Sequence, residues 1–293
     1  MKLIKSNAWI IPQEPGLLGV YKQIEIAGRT SYKSEDKITD DSAEKFVNML
    51  IERGHLAPLE FGTIYLKFPT NINPEIIMFY DTNSYSRVLF DDEWYYVTTN
   101  ARVIIENDYT EHLQYMCEPT ENHDIRITVK IICSRSIGNE ITRHRAFSFV
   151  QESTRYCNYS KNKFGSEITF VIPHWMNLAE GTYSKPYYSA LDDIYYIIYN
   201  NSKFPFDEDG LSRKYITFLQ SLGDAEFNYF HLLNAEGLTP QDAREILPLN
   251  LKTEITMCGY LSDWQHFLSL RCAKDAHPDM QIIANKLKDL LCL

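Results

Sequence analysis

The chain has 293 residues, with 29 Lys plus Arg against 39 Asp plus Glu, a formal charge of −10. Hydrophobic residues make up 44% and charged residues 23%, which excludes a disordered or collagen-like chain. The acidic balance excludes a broad nucleic-acid or anionic-membrane surface, so any anion site must be local.

A chain of this length buries about three quarters of its unfolded surface and needs no staples. It reads as one domain, 1–293. No apolar run approaches the ~20 residues of a membrane span. The apolar stretch near the N-terminus is too short for a signal peptide. The expectation is a soluble, cytoplasmic protein. Six cysteines stand at 117, 133, 157, 258, 272 and 292, none in CxxC spacing, so reduced thiols are expected. None of the eight histidines falls in an HExxH arrangement, and no metal site is expected.

Residues 39–54 predict a helix, with Asp40 or Asp41 as cap, Phe46, Val47 and Leu50 as its apolar face, and Gly54 as its stop. Ile64, Leu66 and Phe68 alternate with Tyr65 and Lys67, which predicts a strand. Residues 69–124 are rich in Asn, Asp, Glu and Tyr and read as an insertion, not core. Within them SRVLF-DDE-WYYVTT predicts a hairpin, and 101–117 a helix. A second strand starts at Asp124, where Ile125, Ile127, Val129 and Ile131 alternate with Arg126, Thr128 and Lys130. Ser134 then caps a short helix carrying Ile137 and Ile141.

Residues 187–204 show helical spacing of Tyr and Ile, and 224–236 predict another helix ended near Gly237. Thr239-Pro240 opens a short helix that Pro248 closes. Ser262 and Gln265 fit a capping box for the next helix. His277-Pro278 breaks it before a last amphipathic helix. The class is α+β: an antiparallel or mixed β-sheet flanked by helices, with strands early and a helical C-terminal half.

With only 12 glycines there is no GxGxxG and no GxxxxGK[ST], which disfavours a Rossmann or P-loop nucleotide site. No GxSxG elbow is present. The densest polar constellation is Arg143-His144-Arg145-Ala146-Phe147-Ser148-Phe149-Val150-Gln151-Glu152-Ser153-Thr154-Arg155-Tyr156. Arginine forks match phosphate oxygens two at a time, and hydroxyls and aromatic faces complete a nucleotide site. The plainer alternative is that Arg143 and Arg145 sit at a helix C-terminus, where cations are favoured.

Arg271 shares a helical stripe with Trp264, Phe267 and Leu268. A guanidinium there is costly unless paired, with Asp275 as the local partner, or functional. Arg244 lies near the boundary of its helix's apolar side. His55 sits in a turn after Gly54, a place that suits structure as well as function. Cys157 and Cys272 lie close to the arginines, but neither has a sequence-readable base.

These pieces, in this order, resemble the flavin-dependent thymidylate synthases. Their signature is Arg-His-Arg, seven residues, then Ser; here Arg143-His144-Arg145 leads to Ser153, followed by Arg155-Tyr156. Ile26 to Tyr32, Gly54-His55 with Pro58 to Phe61, Ala243-Arg244 with Leu247 to Asn250, and His266-Phe267 with Leu270-Arg271 match further blocks. Phe61, Gln151, Glu140, Tyr260, His277 and Asp279 depart from the family pattern.

The resemblance implies conversion of dUMP to dTMP. Methylenetetrahydrofolate would donate carbon and NADPH reducing power through bound FAD. It also implies a homotetramer with shared active sites. By motif position Arg143, His144 and Arg145 would hold FAD, with Arg143 also touching dUMP. Gln151, Ser153, Arg155 and Arg244 would line the dUMP pocket, with Gln151 also near the cofactor. His55 and Tyr156 would border the flavin and folate face, and Ser31 and His266 would contact FAD. Arg271 would polarise the uracil without an enzymic nucleophile. A hydroxymethylase on the same site, or a nucleotide- or RNA-binding module, are the alternatives.

Overall fold

The alternating run from Asp124 becomes a strand, Arg126–Ser134, because its apolar face finds a sheet and two helices to cover it. The computed structural model describes residues 1–155, 157–161, 166–206 and 213–293. In chain order the elements are β1 (Lys2–Ile4), β2 (Asn7–Ile11), α1 (Gly16–Tyr32), α2 (Ser42–Glu52), β3 (Thr63–Pro69), α3 (Pro74–Thr82), β4 (Arg87–Phe90), β5 (Trp94–Asn100), α4 (Ala101–Glu106), β6 (Arg126–Ser134), α5 (Arg135–Ile141) and β7 (Ser148–Gln151). There follow β8 (Thr169–Val171), β9 (Gly181–Thr182), β10 (Tyr187–Ser189), β11 (Ile194–Tyr199), β12 (Ser202–Phe206), α6 (Arg213–Asn234), α7 (Pro240–Ala243), β13 (Lys252–Tyr260), α8 (Leu261–Arg271) and α9 (Pro278–Leu291).

The main sheet is antiparallel in the order β2-β6-β13-β7. β13 pairs with β6 along its length, Ile255 opposite Ile131 and Met257 opposite Val129, and with β7 through Ile255 and Gln151. One face is apolar: Val129, Ile131, Ile255 and Met257 pack against Trp264 and Phe267 of α8 and Met280, Ile283 and Leu287 of α9. The other face carries Lys130, Glu254 and Thr256, and α1 lies across it. There Thr30 Oγ1 meets Thr256 Oγ1 at 3.1 Å, and Ala27 packs on Cys258. On its other side α1 packs against α2, and Gly28 is required there, since a Cβ would lie 2.7 Å from Phe46 Cε1.

A second sheet, β3-β5-β4, forms a core with α1, α2, α3 and α4. Two smaller sheets, β8-β1-β9 and β10-β11-β12, complete the fold. The first pairs β1 parallel to β8 and antiparallel to β9. The class is therefore α+β, as the pattern predicts. The helical C-terminal half holds α6, α8 and α9 but also the central strand β13.

Several expectations are corrected. Residues 187–204 are strands, not a helix: Asn200 and Asn201 both take positive φ (45° and 67°) and make the two-residue turn that folds β11 onto β12. The Tyr and Ile spacing reflects aromatic and β-branched residues on a pleated sheet. The segment 69–124 is not all peripheral. Its hairpin tip is exposed, but Val97, Ala101, Val103 and Ile104 are buried in the second core. The predicted helix over 101–117 is α4 followed by a 3-10 turn at Thr110–Tyr115.

The predicted capping box at Ser262 is displaced. Helix α8 starts at Leu261, Asp263 reaches back to the Tyr260 amide at 3.2 Å, and Ser262 accepts a bond from Arg87. Asp41 stands at the start of α2 but turns to Lys45 and Thr39 instead of capping. Gly54 does end that region, in the left-handed conformation at φ 66°. Ser134 caps α5 through the Ile137 amide, as predicted.

Candidate active site

The end of α1, the turn after α2, the side of α4 and the segment after β7 converge on one open cavity of about 580 Å³. Ser31, His55, Ser153 and Arg155 line it, with Arg102 and Glu106 from α4. The sequence folds this way because the Ser153 amide donates to the Ser31 carbonyl at 3.0 Å, locking the motif strand to the end of α1. The Ser31 hydroxyl donates to the Gly28 carbonyl at 2.8 Å. Four of the site residues expected from sequence thus share one cavity, although they come from three separate blocks. Tyr156 lies outside the described residues.

Arg102 was missed from sequence. It bridges Glu60 at 2.7 Å and Glu106 at 2.9 Å, and those partners, Glu106 foremost, raise its pKa. Its i,i+4 spacing to Glu106 was the available signal.

A second group sits where α5 ends against α8. Arg271 Nε donates to His144 Nε2 at 2.8 Å, and its Nη2 donates to the Glu140 carbonyl at 3.3 Å. The Glu140 carboxylate stands 3.5 Å from Nη1. Asp275, the local partner considered from sequence, is exposed, and Arg271 is held by Glu140 instead. His144 also packs edge-on to Phe267. Burial first, then the nearby Arg271 and His266, pull its pKa down to about 4. The imidazole is neutral at pH 7, and its Nε2 is the acceptor.

Arg143 and Arg145 flank this histidine just beyond α5. Both are exposed, with no hydrogen-bond or ion-pair partner among the described residues. The helix-end reading and the anion-site reading are therefore compatible. His266 is exposed on α8. Gln151 donates to Thr253 Oγ1 at 3.1 Å, and Arg244 donates to Thr154 Oγ1 at 3.1 Å and to the Gln241 carbonyl. These residues do not line the cavity of Ser31 and His55.

Beneath the motif lies an ionic network that sequence reasoning missed. Glu254 of β13 faces Lys33, Lys130 at 2.8 Å and Lys252 at 2.7 Å. Lys252 also meets Glu152 at 2.7 Å, and Lys130 meets Glu35 at 3.0 Å. Burial alone would raise the Glu254 carboxyl, but Lys252, Lys130 and Lys33 reverse it and hold it well below the carboxylate range. Alternating polar residues on a strand ordinarily face water, and the lysines and glutamates here are separated by up to 221 residues, so the sequence carries no local signal.

Cys157 is fully buried, and burial followed by the Glu152 charge pushes its thiol up to about 12. Cys272 is partly exposed and its thiol is also raised by burial. Neither environment favours a thiolate.

Residues 96–292 match the family model described as thymidylate synthase complementing protein. That is well over half of the chain, and the chain belongs to this family. A flavin-dependent thymidylate synthase from Synechocystis is 26% identical over 189 residues, covering 61% of this chain and 75% of that protein. One from Haloarcula marismortui is 28% identical over 157 residues, covering 54% of this chain and 58% of that protein. The chain spans about half to three quarters of the length of such curated relatives. A solved UMP/dUMP methylase from Streptomyces cacaoi aligns over 99% of this chain and 91% of its own, at 16% identity and a TM-score of 0.43. Among the described residues no helix is long and apolar enough to cross a membrane.

Proposed function

We propose that this protein is a flavin-dependent thymidylate synthase that methylates dUMP to dTMP. The observation that carries the reading is the family's Arg-His-Arg…Ser spacing, with Ser153 and Arg155 meeting Ser31 and His55 around one cavity. The reading includes methylenetetrahydrofolate as carbon donor, NADPH as reductant, and a cytoplasmic homotetramer. The chain is taken as one domain, with an insertion at about 69–124.

The donor set fits FAD. Two exposed guanidiniums without carboxylate partners, Arg143 and Arg145, flank His144 in a protein of net negative charge. Such forks suit a pyrophosphate. Arg143, His144, Arg145, Ser31 and His266 are the residues that would hold the cofactor, with His55, Gln151 and Tyr156 at its flavin and folate side. Bound FAD would supply, after reduction by NADPH, the hydride that completes the methyl group.

The nucleotide falls to Arg143, Gln151, Ser153, Arg155 and Arg244, whose guanidinium and hydroxyl donors suit phosphate and sugar oxygens. Arg271 would bear the negative charge that develops on the uracil ring. Its guanidinium has five N–H donors and, among the described residues, contacts only His144 and Glu140. The buried, raised thiol of Cys157 supports a route without an enzymic nucleophile.

Purified protein is incubated with dUMP, methylenetetrahydrofolate and NADPH, and the nucleotides are separated. Formation of dTMP with flavin oxidation is expected. A hydroxymethylated nucleotide would move the reading to a hydroxymethylase. A colourless protein that takes up no FAD and binds RNA would overturn it.

A further inference from the structure

Away from the cavity, the loop after β8 meets the start of α9 through two imidazoles and a carboxylate. His174, His277 and Asp279 each bring one ligand atom, and these atoms all lie within 4.8 Å of one another. His174 Nδ1 stands 3.3 Å from Asp279 Oδ1, and His277 Nδ1 stands 3.9 Å from Asp279 Oδ2. The rings of His174 and His277 are nearly perpendicular, with centroids 5.8 Å apart. We propose that His174, His277 and Asp279 form a binding site for a divalent transition metal of the zinc class.

The geometry favours this over an ordinary surface cluster. Two ligands about 2.0–2.1 Å from a tetrahedral zinc ion stand roughly 3.3–3.5 Å apart. The His174–Asp279 separation is already at that distance. His277 faces the other carboxylate oxygen at 3.9 Å, so the imidazoles must turn inward for ligand atoms now within 4.8 Å of one another to close on one ion. The cluster is also held in place without a metal. The His174 amide donates to Asp279 Oδ1 at 2.6 Å, which pins the carboxylate between the two segments. Asp279 is only 15% exposed, whereas both imidazoles reach solvent, so an ion has an entry path and water can take the fourth position.

The donor set decides the metal. Two imidazole nitrogens and one carboxylate oxygen suit zinc, nickel or copper, whereas magnesium and calcium prefer all-oxygen sets. One competing bond must give way. In the metal-free protein the Asp279 amide donates to His277 Nδ1 at 3.2 Å, the cap of α9. A metal at that nitrogen takes over the lone pair. The single carboxylate and the lost cap make this a site of modest affinity, loaded only where free metal is ample. Its effect is to clamp the loop after β8 to the last helix, two segments about a hundred residues apart.

The test titrates the full chain with Zn2+ by calorimetry and with Co2+ by absorption. One equivalent should bind, with a rise in melting temperature. The Co2+ spectrum should show d–d bands without the thiolate charge-transfer band that cysteine ligation gives. His174→Ala, and His277→Asn, which keeps a capping acceptor for α9, should each weaken binding by ~10-fold or more. Circular dichroism checks that both variants fold. Failure of the native chain to bind Zn2+, equal binding by the folded variants, or a thiolate band would each overturn the site. The readout needs neither flavin nor nucleotide and stands apart from the proposed enzymic activity.

Discussion

Arg271, at the end of α8, donates at 2.8 Å to the neutral Nε2 of His144, just beyond α5 and 127 residues away in sequence. A cation placed against an acceptor nitrogen holds the imidazole unprotonated. It also fixes the direction of the guanidinium, which is only 22% exposed.

That relationship gives the first prediction. Arg271→Ala should fold, since Glu140 is partly exposed and can rehydrate. Turnover should fall by ~10²–10³, the size typical of one preorganised electrostatic group. Arg271→Lys should recover little, because a point charge does not replace a planar fork. Single-turnover flavin oxidation with dUMP and methylenetetrahydrofolate measures this, and full-rate dTMP formation by Arg271→Ala would end the catalytic assignment.

The second prediction concerns acid. His144 is held at about 4 in the fold, against an ordinary value of 6.5. A group that prefers to stay neutral in the folded state costs nothing above pH 6.5. Below it the unfolded chain takes up the proton first, so stability falls as pH drops from 6.5 to 4. His144→Asn should lessen the fall in melting temperature across that window without abolishing it, because burial lowers His112 and His123 as well. The carboxylate of Glu254, held low, loses its contribution only below the ordinary carboxyl value of 4.5. A melt series from pH 7 down to about pH 2.5 on both proteins separates the two windows, the His144 effect lying above pH 4 and the Glu254 effect below 4.5.

The third prediction tests the buried ions. Glu254→Ala leaves Lys33, Lys130 and Lys252, exposed by 19%, 10% and 13%, without their common anion. The loss should be about 3–5 kcal/mol, the cost of breaking a buried pair from one side. Denaturant melts measure it, and a loss below about 1 kcal/mol would show that water and the remaining carboxylates, Glu152 and Glu35, compensate the lysines.

Cysteine chemistry is the fourth. The double variant Cys157→Ala, Cys272→Ala should keep most turnover per folded molecule, because neither thiol sits where a thiolate is favoured. A collapse of activity with the fold intact would revive a thiol route.

Residues 69–124 give the fifth. Asp92→Ala and Glu93→Ala at the exposed tip should change stability by less than ~0.5 kcal/mol. Ile104→Ala, 1% exposed in the second core, should cost ~2–5 kcal/mol. Chemical denaturation of the three variants shows whether the segment is decoration or wall.

Much of this was legible in the sequence where one residue type decides a local conformation. Ser134 caps α5, Gly54 ends the region of α2, and the alternation from Asp124 is a strand. The motif residues Ser153 and Arg155 do reach the cavity of Ser31 and His55. What stayed hidden was set by partners far along the chain. Lys130 reads as a solvent-facing residue until Glu254 and Glu35 arrive beside it. Glu140 reads as a departure from a pattern until Arg271 folds onto it. The turn at Asn200-Asn201 was a local signal, outweighed by the chance helical spacing of its tyrosines.

The strand order β2-β6-β13-β7 has a consequence for biosynthesis. β6 and β7 leave the ribosome long before β13, the strand that joins them. Until residue 260 has emerged, both present bare backbone edges to any passing chain. The nascent protein is therefore most exposed to misassociation late in its synthesis, not early. A chaperone that shields strand edges would matter most in the interval while residues 152–251 are being added. Slowing translation there should lower the soluble yield, whereas slowing it within the first hundred residues should leave the yield unchanged.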